Sequence, residues 1–138
     1  MKKGCTFLIT LIFVFFPLFG HCQYFYDYSG RQFASFHDNY IYDNTGKQLG
    51  RIDGEYIYSY DGSTLGRLDD EYIYDNTGRL IGRYDENYLY DGTGKLLSRI
   101  DDEYLYDATG RQIGRAEGLD KKQLIVLVYF FLNLNEEH

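Results

Sequence analysis

A tyrosine recurs every 16 residues through most of the chain, and this period constrains the fold more than any other feature. A representative unit, Tyr40 to Glu55, reads Y-I-Y-D-N-T-G-K-Q-L-G-R-I-D-G-E. Six such units follow one another, and their first residues are Tyr24, Tyr40, Tyr56, Tyr72, Tyr88 and Tyr104. A fixed period of this kind is the signature of a repeat architecture, in which each unit buries its apolar face against its neighbours.

Three further positions, numbered from the first tyrosine of each unit, are nearly constant. The third is always tyrosine: Tyr26, Tyr42, Tyr58, Tyr74, Tyr90 and Tyr106. The seventh is always glycine: Gly30, Gly46, Gly62, Gly78, Gly94 and Gly110. The twelfth is arginine in five units, namely Arg51, Arg67, Arg83, Arg99 and Arg115, whereas Ser35 replaces it in the first. The first and last units diverge most, as the ends of a capped array do.

Each unit is predicted to form a β-hairpin. Tyr-Ile-Tyr favours a strand, and Asp-Asn-Thr-Gly then supplies a turn in which the glycine adopts the left-handed conformation of a three-residue loop with a bulge. The chain returns as Lys-Gln-Leu-Gly-Arg-Ile-Asp, and a second tight turn leads to the next unit. A helix would have to tolerate two glycines and many aromatic or β-branched residues in each unit, so we reject it.

Strand alternation places Tyr72 and Tyr74 on one face of the hairpin and Ile73 on the other. On the return strand, however, apolar residues occur on both faces. Either both faces are partly covered, or a bulge at a small residue of the return strand resets the alternation. The pattern leaves this choice open for the small residues Gly50, Gly66, Gly82, Ser98 and Gly114.

The C-terminal segment, residues 119–138, differs from the repeats. Leu124 to Leu132 is apolar apart from one tyrosine hydroxyl, so whichever element it forms must be buried. Asp120 followed by Gln123 is a pair that can cap a helix, which favours a helix, although the β-branched residues keep a buried strand open. We predict that this segment is the core plug of the fold, through Leu124, Ile125, Leu127, Val128 and Phe131.

Together these features predict an all-β fold in which residues 23–118 form six tandem 16-residue hairpins that close into a barrel. Closure removes the edge strands that invite aggregation. Twelve strands enclose a space too wide for their own side chains to fill, since about eight strands is the limit for that. One apolar helix, about 10 Å across with its side chains, would fill the middle.

Residues 1–22 have the order of a secretory signal peptide: a positive start, an apolar run, and small residues before Gln23. Cleavage between Cys22 and Gln23 is the expectation; a retained anchor, or a lipoprotein cut before Cys22, are the alternatives. Both cysteines, Cys5 and Cys22, lie in this segment, so the mature chain would have no disulfide framework. The expected location is secreted, periplasmic or at the outer surface.

The tandem Y-x-Y-D-x-x-G-[KR]-x-[LI]-G-R-[IL] hairpins, with a signal peptide before them and a short apolar segment after them, resemble bacterial β-flower repeat proteins. The resemblance covers Tyr24 to the C-terminus. It implies hairpin petals around a shallow barrel with a hydrophobic middle, similar in architecture to the tubby domain, where a hydrophobic helix threads a twelve-stranded barrel. Tubby's lipid-binding residues cannot be carried over, because the chain has no matching basic site.

Asn87 to Leu96, N-Y-L-Y-D-G-T-G-K-L, also resembles the YD repeats of large secreted shell-forming toxins. Those shells need far more chain than this, and the strict 16-residue unit disfavours them.

The candidate binding residues are the repeated tyrosines and arginines. Tyrosine rows bind sugars in some cell-wall modules, whereas cross-strand packing of the sheet is their ordinary role. The arginines are expected to stack on tyrosine or to pair with aspartate, with an anion-binding ring as the alternative. The residues concerned are Tyr40, Tyr42, Tyr56, Tyr58, Tyr72, Tyr74, Tyr88, Tyr90, Arg51, Arg67, Arg83 and Arg99. The acidic second turns are shorter than a calcium loop and are better explained as soluble turns.

Charge and chemistry exclude other classes of function. The net charge of -7 argues against a nucleic-acid partner. His37 and His138 have no spaced partners for metal or triad chemistry, so we predict no catalytic residue, cofactor or metal. The sequence therefore indicates an exported, non-enzymatic structural or binding module. The alternatives are a carbohydrate-binding module and a protein associated with a membrane surface, and the partner is an envelope glycan, a protein or a lipid surface.

Overall fold

A computed structural model describes residues 23–132 of the chain. The predicted signal peptide at 1–22, with its alternatives, and the last residues of the predicted plug, 133–138, lie outside the described residues. Their predictions therefore remain predictions.

Every repeat unit forms two antiparallel strands, a short one and a longer return strand, as the hairpin prediction requires. The described residues form β1 (Tyr24–Asp27), β2 (Gln32–His37), β3 (Tyr40–Asp43), β4 (Gln48–Asp53), β5 (Tyr56–Ser59), β6 (Thr64–Asp69), β7 (Tyr72–Asp75), β8 (Leu80–Asp85), β9 (Tyr88–Asp91), β10 (Leu96–Asp101), β11 (Tyr104–Asp107) and β12 (Gln112–Glu117).

The twelve strands close into one antiparallel barrel, because β1 pairs with β12 as well as with β2. All other neighbours in the barrel are consecutive in sequence. The turns inside the units form one end, the long-turn rim, at residues 28–30, 44–46, 60–62, 76–78, 92–94 and 108–110. The turns between units form the other end, the short-turn rim, at residues 38–39, 54–55, 70–71, 86–87 and 102–103.

A bulge in each return strand decides the choice that the sequence left open. In the second hairpin, Ile41 pairs with Gly50 but Tyr42 pairs with Gln48, so Leu49 is an extra residue on β4. The other five hairpins show the same register shift. The extra residue shifts the alternation of inward and outward side chains by one position. The small residue that follows the extra apolar residue therefore faces the barrel interior.

The interior of the barrel is lined by the second residue of each unit. These side chains are at most 1% exposed: Phe25, Ile41, Ile57, Ile73, Leu89 and Leu105. Residues of the return strands add a second layer, including Phe36, Ile52, Leu68 and Ile100. The tyrosines at the first and third positions consequently point outward.

The C-terminal segment is a helix, and the strand alternative is wrong. It begins as α1 (Lys121–Val126) and continues as a π-helical turn, Leu127–Phe131; we call the two together the central helix. The predicted cap is present: Asp120 accepts a bond from the Gln123 backbone N–H, and the Gln123 side chain accepts one from the Asp120 N–H. Within residues 23–132, the helical part is too short to span a bilayer.

The central helix fills the barrel. Four of the predicted plug residues, Leu124, Ile125, Leu127 and Val128, are 0–3% exposed, as is Val126. The fifth, Phe131, is only partly buried and packs against the edge of this core. At the short-turn rim, two lysine ammonium groups hold the start of the helix by donating 2.7 Å hydrogen bonds to turn carbonyls. The pairs are Lys121 with the Glu86 oxygen and Lys122 with the Gly54 oxygen.

Candidate functional site

The outer wall of the barrel carries a repeated pairing of arginine with tyrosine. Each arginine at position twelve lies opposite the third-position tyrosine of the next unit in the sheet, and its guanidinium carbon lies over that ring. The distances to the ring centroids are 4.3 Å for Arg51 over Tyr58, 4.4 Å for Arg67 over Tyr74, 4.8 Å for Arg83 over Tyr90, 4.3 Å for Arg99 over Tyr106 and 4.7 Å for Arg115 over Tyr26. The predicted stacking is therefore present, and it repeats around the wall.

The same arginines also approach a carboxylate two residues later in their own strand. The N–O distance is 3.6 Å for Arg51 with Asp53, 3.0 Å for Arg67 with Asp69, 4.0 Å for Arg83 with Asp85 and 3.5 Å for Arg99 with Asp101. These pairs are partly exposed, so each adds at most about 1 kcal/mol to stability. Their main effect is to hold the guanidinium over the ring and to balance its charge, which disfavours the anion-ring alternative.

The first-position tyrosines of the four central units are the most exposed aromatic groups of the wall. Their exposed fractions are 41% for Tyr40, 45% for Tyr56, 38% for Tyr72 and 43% for Tyr88. Each lies opposite the arginine of its own unit, as Tyr40 lies opposite Arg51. The wall therefore presents rows in which an exposed tyrosine, an arginine and a covered tyrosine follow one another across neighbouring strands.

Tyr42 departs from this pattern. Its cross-strand partner is Ser35 rather than arginine, and no cation of the described residues lies over its ring. The structure thus places Tyr42 on the same wall as the other predicted tyrosines but gives it a different neighbour.

The seventh-position glycines brace the long-turn rim and do not contribute to the wall. All six have φ between 87° and 94°, the left-handed conformation that the turn prediction requires. In the second unit, the Asp43 carboxylate accepts bonds from the Thr45 hydroxyl and from the backbone N–H groups of Thr45 and Lys47. These bonds, the Thr45 hydroxyl first, hold the pKa of Asp43 below its usual value of 3.8.

The glycines at position eleven have a role that sequence reasoning did not assign. Gly50 faces Phe131, Gly66 faces Phe130 and Gly82 faces Tyr129, so closely that an added Cβ would collide with each ring. Tyr129 also donates a 2.6 Å hydrogen bond to the Tyr90 carbonyl oxygen. The signal for this role was the recurrence of a small residue at a buried strand position.

A groove lies at the long-turn rim between the first two hairpins. It encloses about 420 Å³ and is open to solvent. Phe33, Leu49 and Phe131 form its apolar part, with Asp27 and Arg31 among its polar groups. None of the predicted wall tyrosines or arginines lines it.

Metal chemistry has no candidate in the described part of the chain. Within residues 23–132, no three His, Cys, Asp or Glu side chains lie close enough together to hold an ion. This holds for the acidic residues of the short-turn rim as well.

Comparison with known proteins gives a family match. A family model described as 5-fold beta-flower protein matches residues 22–133. No curated protein and no solved structure matches the chain. The family description names a 5-fold arrangement, whereas the barrel of this chain has six hairpins.

Proposed function

The chain belongs to the 5-fold beta-flower protein family, and we propose that it is an exported, non-enzymatic binding module of the cell envelope or exterior. Its contact surface is the outer wall of the barrel, with the tyrosines at positions one and three and the arginines at position twelve. This role also fits a purely structural component that is held in place by many weak contacts.

The proposal is supported by the contrast between the interior of the barrel, which the helix fills, and the outer wall, which carries tyrosines and arginines. The central helix occupies the middle of the barrel, where a ligand cavity would otherwise lie. The aromatic and charged side chains instead repeat around the outside, and similar units present similar shallow surfaces. Such an array suits multivalent binding, in which several weak contacts add up to a firm attachment.

Catalysis normally needs a cluster of different groups around one pocket. A wall of repeated rows favours binding over chemistry, since each row offers the same groups as the next. The net charge of -7 also disfavours nucleic acid as the partner.

A sedimentation assay with isolated envelope material tests the proposal. The purified protein should co-sediment with the envelope fraction, and replacing the four exposed wall tyrosines by serine should abolish this. The matched control replaces Tyr28 and Tyr60, which are 77% and 68% exposed but lie at the long-turn rim. Equal binding by the wall variant and the control would show that the wall is not the contact surface.

A carbohydrate ligand is the second candidate, and the exposure of the first-position tyrosines favours it. Tyr40, Tyr56, Tyr72 and Tyr88 each present a ring that is 38–45% exposed. An apolar ring face with a hydroxyl at its edge is the combination that amphipathic ligands contact. A glycan array separates this candidate from a protein partner: selective, wall-dependent glycan binding supports it, and an array without any signal rejects it.

Association with a membrane surface has lost its main support. That alternative depends on the apolar segment near the C-terminus, whose residues Leu124 to Val128 are buried in the barrel. Liposome flotation of the purified protein is the corresponding test, and we expect the protein to stay out of the vesicle fraction.

A further inference from the structure

Ser35 lies at an interruption in the regular outer wall. It pairs with Tyr24 of β1 on one side and with Tyr42 of β3 on the other. The short Ser35 side chain therefore has a tyrosine as its cross-strand neighbour on each side, and we call these three residues the Ser35 slot. Tyr24 and Tyr42 belong to strands two spacings apart, about 9.5 Å between backbones.

The equivalent place in the other units shows what such a slot holds. Arg51 lies between Tyr40 and Tyr58 in the same cross-strand order. Its guanidinium carbon is 4.3 Å from the centroid of the Tyr58 ring. The other four arginines repeat this arrangement at 4.3–4.8 Å. The wall thus contains five filled examples of a site whose sixth copy lacks its cation among the described residues.

We propose that the Ser35 slot binds the guanidinium group of an arginine side chain from a partner protein. The negative face of a tyrosine ring attracts a cation, and the serine hydroxyl offers an acceptor for a guanidinium N–H. The protein's net charge of -7 favours the approach of a basic partner. This binding is separate from the envelope attachment proposed above, because it needs one slot and not the repeated wall.

Arginine suits the slot better than other cations. All five internal examples hold a planar guanidinium, which stacks on an aromatic face in a way that the compact ammonium of lysine does not. The five internal examples are arginines within a polypeptide, which lack the α-ammonium and α-carboxylate groups of the free amino acid. The partner is therefore a protein and not the amino acid.

The slot differs from its sister sites in one further residue. Arg51 is paired with Asp53 at 3.6 Å, whereas His37 stands at the corresponding place in the first unit. The guest in the Ser35 slot is consequently held by the rings and the hydroxyl without that ion pair. The contact is expected to be weak and reversible, and a carboxylate introduced at position 37 should strengthen it.

The test is a titration of the purified protein with N-acetyl-arginine methylamide, followed by NMR of the tyrosine rings. Saturable shifts are expected at Tyr24 and Tyr42, and much smaller ones at Tyr58 and Tyr74, which already carry arginines. Ser35→Arg should fill the slot from within, raise the thermal midpoint, and weaken probe binding at least about tenfold.

Two further variants keep the test decisive. Arg51→Ser should open a second slot between Tyr40 and Tyr58 and double the number of probe molecules bound. His37→Asp should tighten binding several-fold. The proposal is overturned if Ser35→Arg binds the probe as well as the parent, if shifts spread equally over all wall tyrosines, or if no saturable shift occurs. Tighter binding of choline or free arginine than of the capped probe would overturn the assignment of a protein arginine.

Discussion

The ring of Tyr129 lies directly over Gly82, so that a Cβ added to the glycine would come 2.7 Å from the ring carbon Cζ. The Tyr129 hydroxyl donates a 2.6 Å hydrogen bond to the carbonyl oxygen of Tyr90 on the neighbouring strand. Burial raises the pKa of the Tyr129 hydroxyl well above its ordinary value. The Tyr129 ring can therefore occupy this place only because residue 82 is a glycine and has no side chain.

The same contact repeats along the helix. Three consecutive aromatic residues meet glycines on three consecutive hairpins: Tyr129 on Gly82, Phe130 on Gly66 and Phe131 on Gly50. Six hairpins around a closed ring are spaced by about 60° (360° divided by six), whereas an α-helix turns by about 100° per residue. The segment Leu127–Phe131 is a π-helical turn, in which the Leu132 N–H donates to the Leu127 oxygen. A π-helix is wider than an α-helix, so each residue turns through a smaller angle, closer to the spacing of the hairpins.

Gly82→Ala should therefore destabilise the protein by about 1–3 kcal/mol, since the new methyl group overpacks the interior against the Tyr129 ring. Ser98→Ala, at the same position of the next unit, is the control. Ser98 is fully buried and its hydroxyl has no hydrogen-bond partner in the described chain, so losing it should be neutral or stabilising. Chemical denaturation measures both, and equal effects would contradict the contact.

Gly94→Val should cost more than about 1 kcal/mol, because a β-branched residue resists the φ of 94° found at this turn. Nothing in the described chain lies within 4 Å of an added Cβ, so the cost is conformational strain alone. Thr93→Val loses one hydroxyl contact to Asp91 and should be milder. A thermal-shift series compares them, and similar tolerance at both positions would refute the turn assignment.

Acid should weaken the long-turn rim. Hydrogen bonds lower the pKa of Asp43 and Asp75 below 3.8 and that of Asp61 to about 2, with the side-chain hydroxyls of Thr45, Thr77 and Ser59 as the first causes. A carboxylate whose pKa is lower in the folded state than in the unfolded state stabilises the fold at pH values above its unfolded-state pKa. This stability is lost as the pH falls through the folded-state pKa.

The thermal midpoint should therefore drop between about pH 4 and about pH 2. In Asp75→Asn the amide oxygen still accepts a hydrogen bond but does not titrate, so the drop should be smaller. A midpoint that stays constant down to the lower pH would refute the bracing role of these carboxylates.

Removing residues 119–138 should unfold or aggregate the repeats, since the barrel loses the helix that fills it. Burying one large apolar side chain contributes about 1.5–3 kcal/mol, and Leu124 to Val128 together rival the stability of a small domain. Val128→Asp should have nearly the same effect, whereas Lys122→Ala, which removes only one hydrogen bond at an exposed position of the same helix, should be mild. Circular dichroism and size exclusion measure the outcome, and a folded monomeric truncation would exclude the helix as a structural core.

The mature protein is expected to begin at Gln23, because the order of residues before it is that of a cleaved secretory signal. The intact mass of the exported protein checks this. A mass that includes residues 1–22 would indicate a retained anchor, and a diacylated Cys22 would indicate a lipoprotein.

Local chemistry was enough to predict the hairpins, the turn glycines and the helix. Tyr-Ile-Tyr favours extended backbone, and a glycine such as Gly46 suits a turn position whose φ is 90°. Asp120 with Gln123 caps a helix from within four residues. The repeat made these signals stronger, because each appears in several copies. Closure into a barrel followed from the number of strands and from the apolar segment that had to be buried.

Only the tertiary structure decided which way the faces point and what the small residues do. The extra residue at Leu49 moves Gly50 to the interior, and a bulge depends on the partner strand, which the pattern of a single strand does not specify. The contact of Tyr129 with Gly82 joins residues 47 positions apart (129 minus 82). It depends on the angle and depth at which the helix enters the barrel, and packing across the whole interior sets both.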